Sequence, residues 1–251
     1  MSIALSVNLN KIALLRNSRT DNNPNLEEFA EKAIAAGARG LTAHPRPDQR
    51  HIRTHDIPLL ARIARASNVE FNIEGNPFAD ARDGYPGLIT LVESNLPDQC
   101  TLVPDSDGQL TSDHGFDLDK DFERLEPIVK RLKQLGVRIS LFMDPNIRQI
   151  SKVKALGADR IELYTGPFAA AFHISETAAK TVFDEHAKAA QHALDIGLEV
   201  NAGHDLNLDN MRLYRRLPGL AEVSIGHALT ADALEMGFHQ AVEAYCHICE
   251  K

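Results

Sequence analysis

Ile150-Ser-Lys-Val-Lys-Ala-Leu-Gly-Ala-Asp-Arg-Ile-Glu-Leu-Tyr164 contains a helix, its stop and a strand in one short run. Ile150, Val153 and Leu156 return every three residues, the spacing that lines one face of a helix. Gly157 follows, where a chain leaving a helix adopts the left-handed conformation that glycine tolerates best. Arg160–Tyr164 then reads as a β-rich run. The same junction recurs at Ala35-Ala-Gly-Ala38, Gln134-Leu-Gly-Val137 and Asp195-Ile-Gly-Leu198.

Outward from this unit, about eight β-rich runs appear: Ile3–Asn8, Gly40–His44, Glu70–Glu74, Cys100–Val103, Arg138–Asp144, Arg160–Tyr164, Leu198–Asn201 and Glu222–Gly226. Helical periodicity fills the intervals at Leu26–Ala36, Leu59–Ala66, Leu88–Ser94, Phe122–Leu135, Ile150–Leu156, Thr177–Ile196, Leu208–Leu217 and Ala231–Tyr245. Strand-helix alternation means parallel strands joined by crossovers. About eight such units in 251 residues predict an α/β fold of the closed (β/α)8 TIM-barrel type, one domain over 1–251, with extra short helices in the βα loops. An open doubly wound sheet is the alternative, but its Gly-x-Gly-x-x-Gly turn after the first strand is absent. Residues 9–25, 75–86 and 104–116 read as long connections, each a candidate lid or binding loop.

The formal charge of -8 disfavours nucleic acid as a partner, because gripping a phosphate backbone needs a basic stripe. Small phosphorylated substrates need only a few local donors. Three cysteines are too few for a disulfide framework, and a cytoplasmic location is expected. The first ten residues lack a basic region ahead of a long apolar one, and no apolar run approaches the roughly 20 residues of a membrane span. Cys246-His-Ile-Cys249 has no second pair with which to complete a metal site and reads as incidental. No metal is expected.

Barrel active sites lie at the C-terminal ends of the strands. Polar residues gather there: Asn8 and Asn10 after strand 1, His44 and Arg46 after strand 2, Glu74 after strand 3 and Asp144 after strand 5. Glu162 and Thr165 follow strand 6, Asn201 and His204 strand 7, and His227 strand 8. Histidine exchanges protons near neutrality, so His44 and His204 are acid-base candidates, with Glu74 and Glu162 as bases or orienting partners. Asp144, ahead of Pro145, reads as a helix N-cap. Asn201-Ala-Gly-His204 and Ile225-Gly-His-Ala228 place glycines ahead of helices after the last two strands, where barrels often hold phosphate. Arg16, Arg19, Arg46, Arg50 and His51 could hold a second anion, or form a solvated face. Lys11 is the only lysine near a strand end, which gives little support to Schiff-base chemistry.

Further motifs are ordered along nearly the whole chain. They are Val7-Asn-Leu-Asn-Lys-Ile-Ala-Leu-Leu-Arg-Asn-Ser-Arg19, His44-Pro-Arg-Pro-Asp-Gln-Arg-His-Ile52, Phe71-Asn-Ile-Glu74, Leu102-Val-Pro104, Gln109-Leu-Thr-Ser112, Ile161-Glu-Leu-Tyr-Thr-Gly166, Val200-Asn-Ala-Gly-His204 and Ser224-Ile-Gly-His-Ala228. With these the chain resembles the pyridoxine 5′-phosphate synthase family of vitamin B6 biosynthesis. The resemblance implies a cofactor-free barrel, assembled as an octamer built from four dimers. It would condense 1-deoxy-D-xylulose 5-phosphate with 3-amino-2-oxopropyl phosphate to give pyridoxine 5′-phosphate, phosphate and water. By motif, His44 and Glu74 match proton acceptors and His204 a proton donor. Asn8, Arg19 and Gly226-His227 match the aminoketone phosphate site, Arg46, His51 and Thr111 the deoxyxylulose phosphate site, and Glu162 a carboxylate lining the pocket. Four positions depart from the resemblance. Asn10-Lys11 stands where many members have Asp-His for deoxyxylulose phosphate, Asp205 where many have Gly beside a phosphate, and His114 where Gly is common. The competing readings are a barrel isomerase or lyase acting on one sugar phosphate, and a non-catalytic barrel that binds a B6 vitamer.

Overall fold

Residues 2–250 are described by a computed structural model. The strands are β1 (Ala4–Asn8), β2 (Gly40–Ala43), β3 (Glu70–Gly75), β4 (Gln99–Leu102), β5 (Arg138–Met143), β6 (Arg160–Tyr164), β7 (Glu199–Gly203) and β8 (Leu220–Ile225). They pair in parallel in chain order, and β1 closes onto β8 to complete the barrel. The helices are α1 (Asn10–Asn17), α2 (Leu26–Ala35), α3 (Asp56–Ser67), α4 (Leu88–Asn95), α5 (Phe122–Gln134), α6 (Ile147–Leu156), α7 (Gly166–Ile174), α8 (Glu176–Asp195), α9 (Met211–Tyr214), α10 (His227–Met236) and α11 (Phe238–Cys249). Among the described residues, no helix is long and apolar enough to cross a membrane.

The repeated junction works as its residue types require. Gly37, Gly136, Gly157 and Gly197 have φ of +103°, +81°, +92° and +77°, a region that costs any side chain with a Cβ. Each turn sends the chain straight from a helix into the next strand. Alternate strand residues such as Leu41 and Ala43, Phe71 and Ile73, and Ile139 and Leu141 are buried in the apolar core with the helices. The other set faces the lumen and is polar. Ser6 Oγ lies 2.7 Å from Thr42 Oγ1, Thr101 Oγ1 donates to Asn72 Oδ1 at 3.2 Å, and Asn72 Nδ2 donates to Thr42 Oγ1 at 3.4 Å. Below them Arg160 Nη1 donates to Gln99 Oε1 at 3.0 Å and to Glu222 Oε2 at 3.3 Å. Barrels are usually filled by branched apolar side chains, so this lumen is unusually polar.

Several elements differ from the sequence reading. The 9–25 connection contains α1. The single helix expected over Ala231–Tyr245 is broken at Gly237, φ +89°, into α10 and α11. α7, which had no counterpart in the periodicity, follows β6. Asp144 does not cap α6; Asn146 does, accepting from the backbone N–H of Arg148 at 3.1 Å and Gln149 at 3.4 Å. Pro145 holds Asp144 out of the helical turn and leaves the capping position to Asn146.

Arg16 was a candidate anion ligand, but it is not free to be one. Its guanidinium grips Asp56 bidentately, Nη1 to Oδ1 at 2.6 Å and Nη2 to Oδ2 at 2.9 Å, with both side chains buried. Beside it Asn17 Nδ2 donates to the His51 carbonyl at 2.7 Å. α1 is thereby riveted to α3 and to the loop after β2. Replacing Asp56 by Ala strands a buried guanidinium and is expected to cost about 3–5 kcal/mol in a urea melt.

Candidate active site

The C-terminal ends of the strands open on a cavity of about 580 Å³. Asn8, Asn10, Lys11, His44, Arg46, His51, Glu74, Thr111, Glu162, His204, Asp205, Gly226 and His227 all line it. Arg50, offered only as a candidate second-anion ligand, lines it too. Arg19, exposed after the end of α1, is not part of the lining, nor are Asp144, Thr165 and Asn201. Asn201 points into the polar lumen and donates to Gln99 Oε1 at 3.4 Å. Thr165 Oγ1 is spent on the Gly203 carbonyl at 2.7 Å.

Short links between strand ends set the geometry. Asn8 Oδ1 accepts from the Asn10 N–H at 3.0 Å, and Asn10 Oδ1 accepts from the His44 N–H at 3.0 Å. Asn8 Nδ2 donates to Glu74 Oε2 at 3.3 Å, and Ser224 Oγ donates to Glu74 Oε1 at 3.5 Å. His44 Nδ1 lies 3.8 Å from Glu74 Oε2. Two glycines make room. A Cβ on Gly203 would run into the Glu162 carboxylate, and one on Gly226 would stand 3.0 Å from Asn8 Cβ. On the far side Thr111 Oγ1 is 2.5 Å from His204 Nε2. His204 and Asp205 have φ of +88° and +56°, a strain held by the Thr165 hydroxyl on the His204 carbonyl and by Asn210 Nδ2 on the Asp205 carbonyl at 3.0 Å. Asp205 Oδ2 turns to His204 Nδ1 at 3.0 Å, and that contact holds its carboxyl below the usual range. His114 lies off the cavity, exposed and 2.6 Å from Asp113.

Burial dominates the electrostatics. It pushes Glu74 up to about 8, with the nearby Asp105 and Glu222 charges adding to the effect. Glu162 rises well above the carboxylate range, through burial first and the Glu74 charge second. His44 drops to about 3 through burial and the Arg46 and Arg50 charges. His51 drops to about 3 through burial and the His44 and Arg46 charges. Near neutral pH these shifts favour neutral imidazoles at His44 and His51 and a protonated Glu74, with Glu162 shifted in the same direction as Glu74, all flanked by Lys11, Arg46 and Arg50. Among the described residues, no group of three or more His, Cys, Asp or Glu is placed to hold a metal.

Sequence reading missed two polar groups here. Ser224, on the lumen side of β8, gave no signal apart from its neighbours in the Gly-His motif. Asp105, directly after Leu102-Val-Pro104, is buried behind His44, with Oδ2 2.6 Å from Arg46 Nη2 and 3.3 Å from His44 Nε2. A carboxylate just past the end of a barrel strand was the available clue.

The family described as "Pyridoxal phosphate biosynthesis protein PdxJ" matches residues 5–251. The chain belongs to this family. A pyridoxine 5′-phosphate synthase of Xanthomonas campestris pv. campestris is 52% identical over 249 residues, covering 99% of this chain and 96% of that protein. One of Xylella fastidiosa is 49% identical over 98% of this chain and 94% of its own. Among solved structures, a tryptophan synthase from M. tuberculosis aligns with a TM-score of 0.65 at 8% identity, over 100% of this chain and 93% of that one. Thiamine phosphate pyrophosphorylase from Pyrococcus furiosus aligns at 0.59 and 13%, over 98% and 95%. At such identities these two likenesses concern the barrel alone.

The raised pKa of Glu162 has a consequence for stability. A carboxyl whose folded pKa lies above its unfolded one is accommodated at low pH, and its contribution is lost as pH rises from the ordinary carboxylate range towards the folded value. Glu162→Gln, neutral at every pH, is expected to raise Tm at pH 8 by about 2–4 °C while giving no gain at pH 4. Calorimetry at the two pH values checks it.

Proposed function

We propose that the protein closes a pyridine ring by condensing 1-deoxy-D-xylulose 5-phosphate with 3-amino-2-oxopropyl phosphate, releasing phosphate and water. Family membership supports the reaction. The observation in the site that carries it is the buried His44–Glu74 pair, 3.8 Å apart, set between a cationic side and the His204–His227 side. Arg46, Arg50, His51 and Lys11 offer donors for one phosphate. The N-terminus of α10, at Gly226-His227, offers backbone N–H groups for the other.

The amine of one substrate attacks the ketone of the other, and an imine forms as water leaves. Glu74 carries a proton at the start, so its first act is donation to the departing oxygen. Only the carboxylate so formed is a base. His44 begins neutral but weak, because burial and, after it, the Arg46 and Arg50 charges disfavour its protonation. A phosphate bound to those guanidiniums offsets their charge and strengthens His44 as an acceptor once substrate is in place. Phosphate elimination and ring closure then require further transfers on carbon and oxygen, with His204 supplying protons from the opposite rim. The 104–116 loop spans the mouth: the Gln109 carbonyl accepts from Arg46 at 3.0 Å and Arg50 at 3.1 Å, and Thr111 meets His204. Such a cover keeps water from the reactive intermediates.

Mixing the protein with both phosphates is expected to produce a new pyridine absorbance, which disappears when the amine is omitted. Turnover without the amine would instead mark an isomerase or lyase. Because Glu74 must start protonated, kcat/KM should fall as pH rises through about 8. In Glu74→Gln, turnover is reduced by about 10²-fold or more and the residual rate loses that alkaline limb.

A further inference from the structure

We propose that Asp105 is a positioning residue that fixes the tautomer and orientation of His44. Resting on the ring-closing reading, this adds a third member to the His44–Glu74 pair. Asp105 Oδ2 lies 3.3 Å from His44 Nε2, on the edge of the imidazole opposite Glu74, whose Oε2 lies 3.8 Å from Nδ1. His44 thus has a carboxyl group near each ring nitrogen, Asp105 at Nε2 and Glu74 at Nδ1. An acceptor at Nε2 keeps the proton on that nitrogen, so the lone pair is on Nδ1, toward Glu74. Were the proton on Nδ1, the imidazole would present no acceptor to Glu74.

Asp105 is suited to hold the ring and not to touch substrate. Its side chain is only 6% exposed, and it is not part of the large cavity's lining. Its main chain is fixed, since Asn76 Nδ2 donates to the Asp105 carbonyl at 2.6 Å and ties it to the chain just after β3. The same Oδ2 accepts from Arg46 Nη2 at 2.6 Å, which keeps a negative charge in place at a buried position. Oδ1 is buried without a partner, so the carboxylate's close polar contacts fall on the oxygen that bonds Arg46 and approaches His44. Imidazole orientation by a buried carboxylate recurs wherever a histidine must accept a proton on one chosen nitrogen.

The competing role is purely structural, with Asp105 serving Arg46 and the root of the 104–116 loop alone. Steady-state kinetics separates the two. Asp105→Ala is expected to lower kcat about 10- to 100-fold, with Asp105→Asn, which retains an acceptor oxygen, falling between it and the wild type. Combined with His44→Ala, Asp105→Ala should add less than twofold, because the two groups act as one unit. A variant whose KM rises while kcat stays within twofold of wild type, or losses that multiply in the double variant, would overturn the proposal. A second readout needs no turnover. In the magic-angle-spinning 15N spectrum of histidine-labelled protein, with His44 assigned from His44→Gln, the wild type should show a protonated Nε2 that is lost or mixed in Asp105→Ala. An unchanged His44 signal overturns the proposal. Should Asp105→Ala melt well below wild type, Asp105→Asn carries the same comparisons. If the wild type forms no pyridine product, the ring-closing reading fails while the tautomer measurement still decides the role of Asp105.

Discussion

A carboxyl group inside a closed barrel is far from water, and this single constraint governs the chemistry of the site. Eight strands in parallel register leave the lumen no opening at its wall, so whatever the inward positions carry must be satisfied within it. Here they carry Ser6, Thr42, Asn72, Thr101, Glu162, Asn201 and Ser224, all buried. Hydroxyls and amides bond one another around the ring. The carboxyls are answered only in part: Thr101 reaches Glu162 at 3.4 Å and Ser224 reaches Glu74 at 3.5 Å. With weak donors and no adjacent cation on their own level, both stay protonated to higher pH. Glu222, lower in the barrel, is also pushed up by burial despite Arg160 at 3.3 Å.

The cations are placed differently. Lys11, Arg46 and Arg50 enter from the loops after β1 and β2 and line the mouth. Arg16, a few residues from Lys11, is instead consumed by Asp56 and braces the loop that presents His51. Four basic residues that look alike in sequence therefore divide into one structural member and three that face the cavity. The difference lies in direction along α1: Arg16 is on its buried face, with Ile12 and Ala13.

Most of the fold was legible because its signals are local. All eight strands fall where β-rich runs stand, and the four glycine junctions turn as their positions require. What was not legible depends on pairing across the barrel. Asn201 looked like a rim residue from its place near a strand end, yet one β-bulge between Val200 and Asn201 and the register against β8 place it in the lumen against Gln99. Asp144 looked like a cap, but the cap fell two residues later. The site was legible to the extent that it follows strand ends: of the fourteen residues set at family site positions, all but Arg19 line one cavity, while Asp144, Thr165 and Asn201, offered only for their place at strand ends, do not. Asp105 escaped notice because its meaning lies in His44 and Arg46, about sixty residues earlier, and no periodicity announces such a contact.

Asp205 shows how a local rule can be set aside when the surroundings enforce it. An aspartate at φ +56°, beside a histidine at φ +88°, is strained. Its side chain turns to His204, with Oδ2 3.0 Å from His204 Nδ1. Thr165 and Asn210 grip the two carbonyls of that turn, which fixes the side chain's direction. The cavity then has a carboxylate behind an imidazole on each rim, Asp105 at His44 and Asp205 at His204. Asp105 is sealed from solvent and shared with Arg46, whereas the Asp205 side chain is 48% exposed and its charge is screened. The two imidazoles thus have carboxylate neighbours of unequal exposure, one sealed and shared with an arginine, the other open to water.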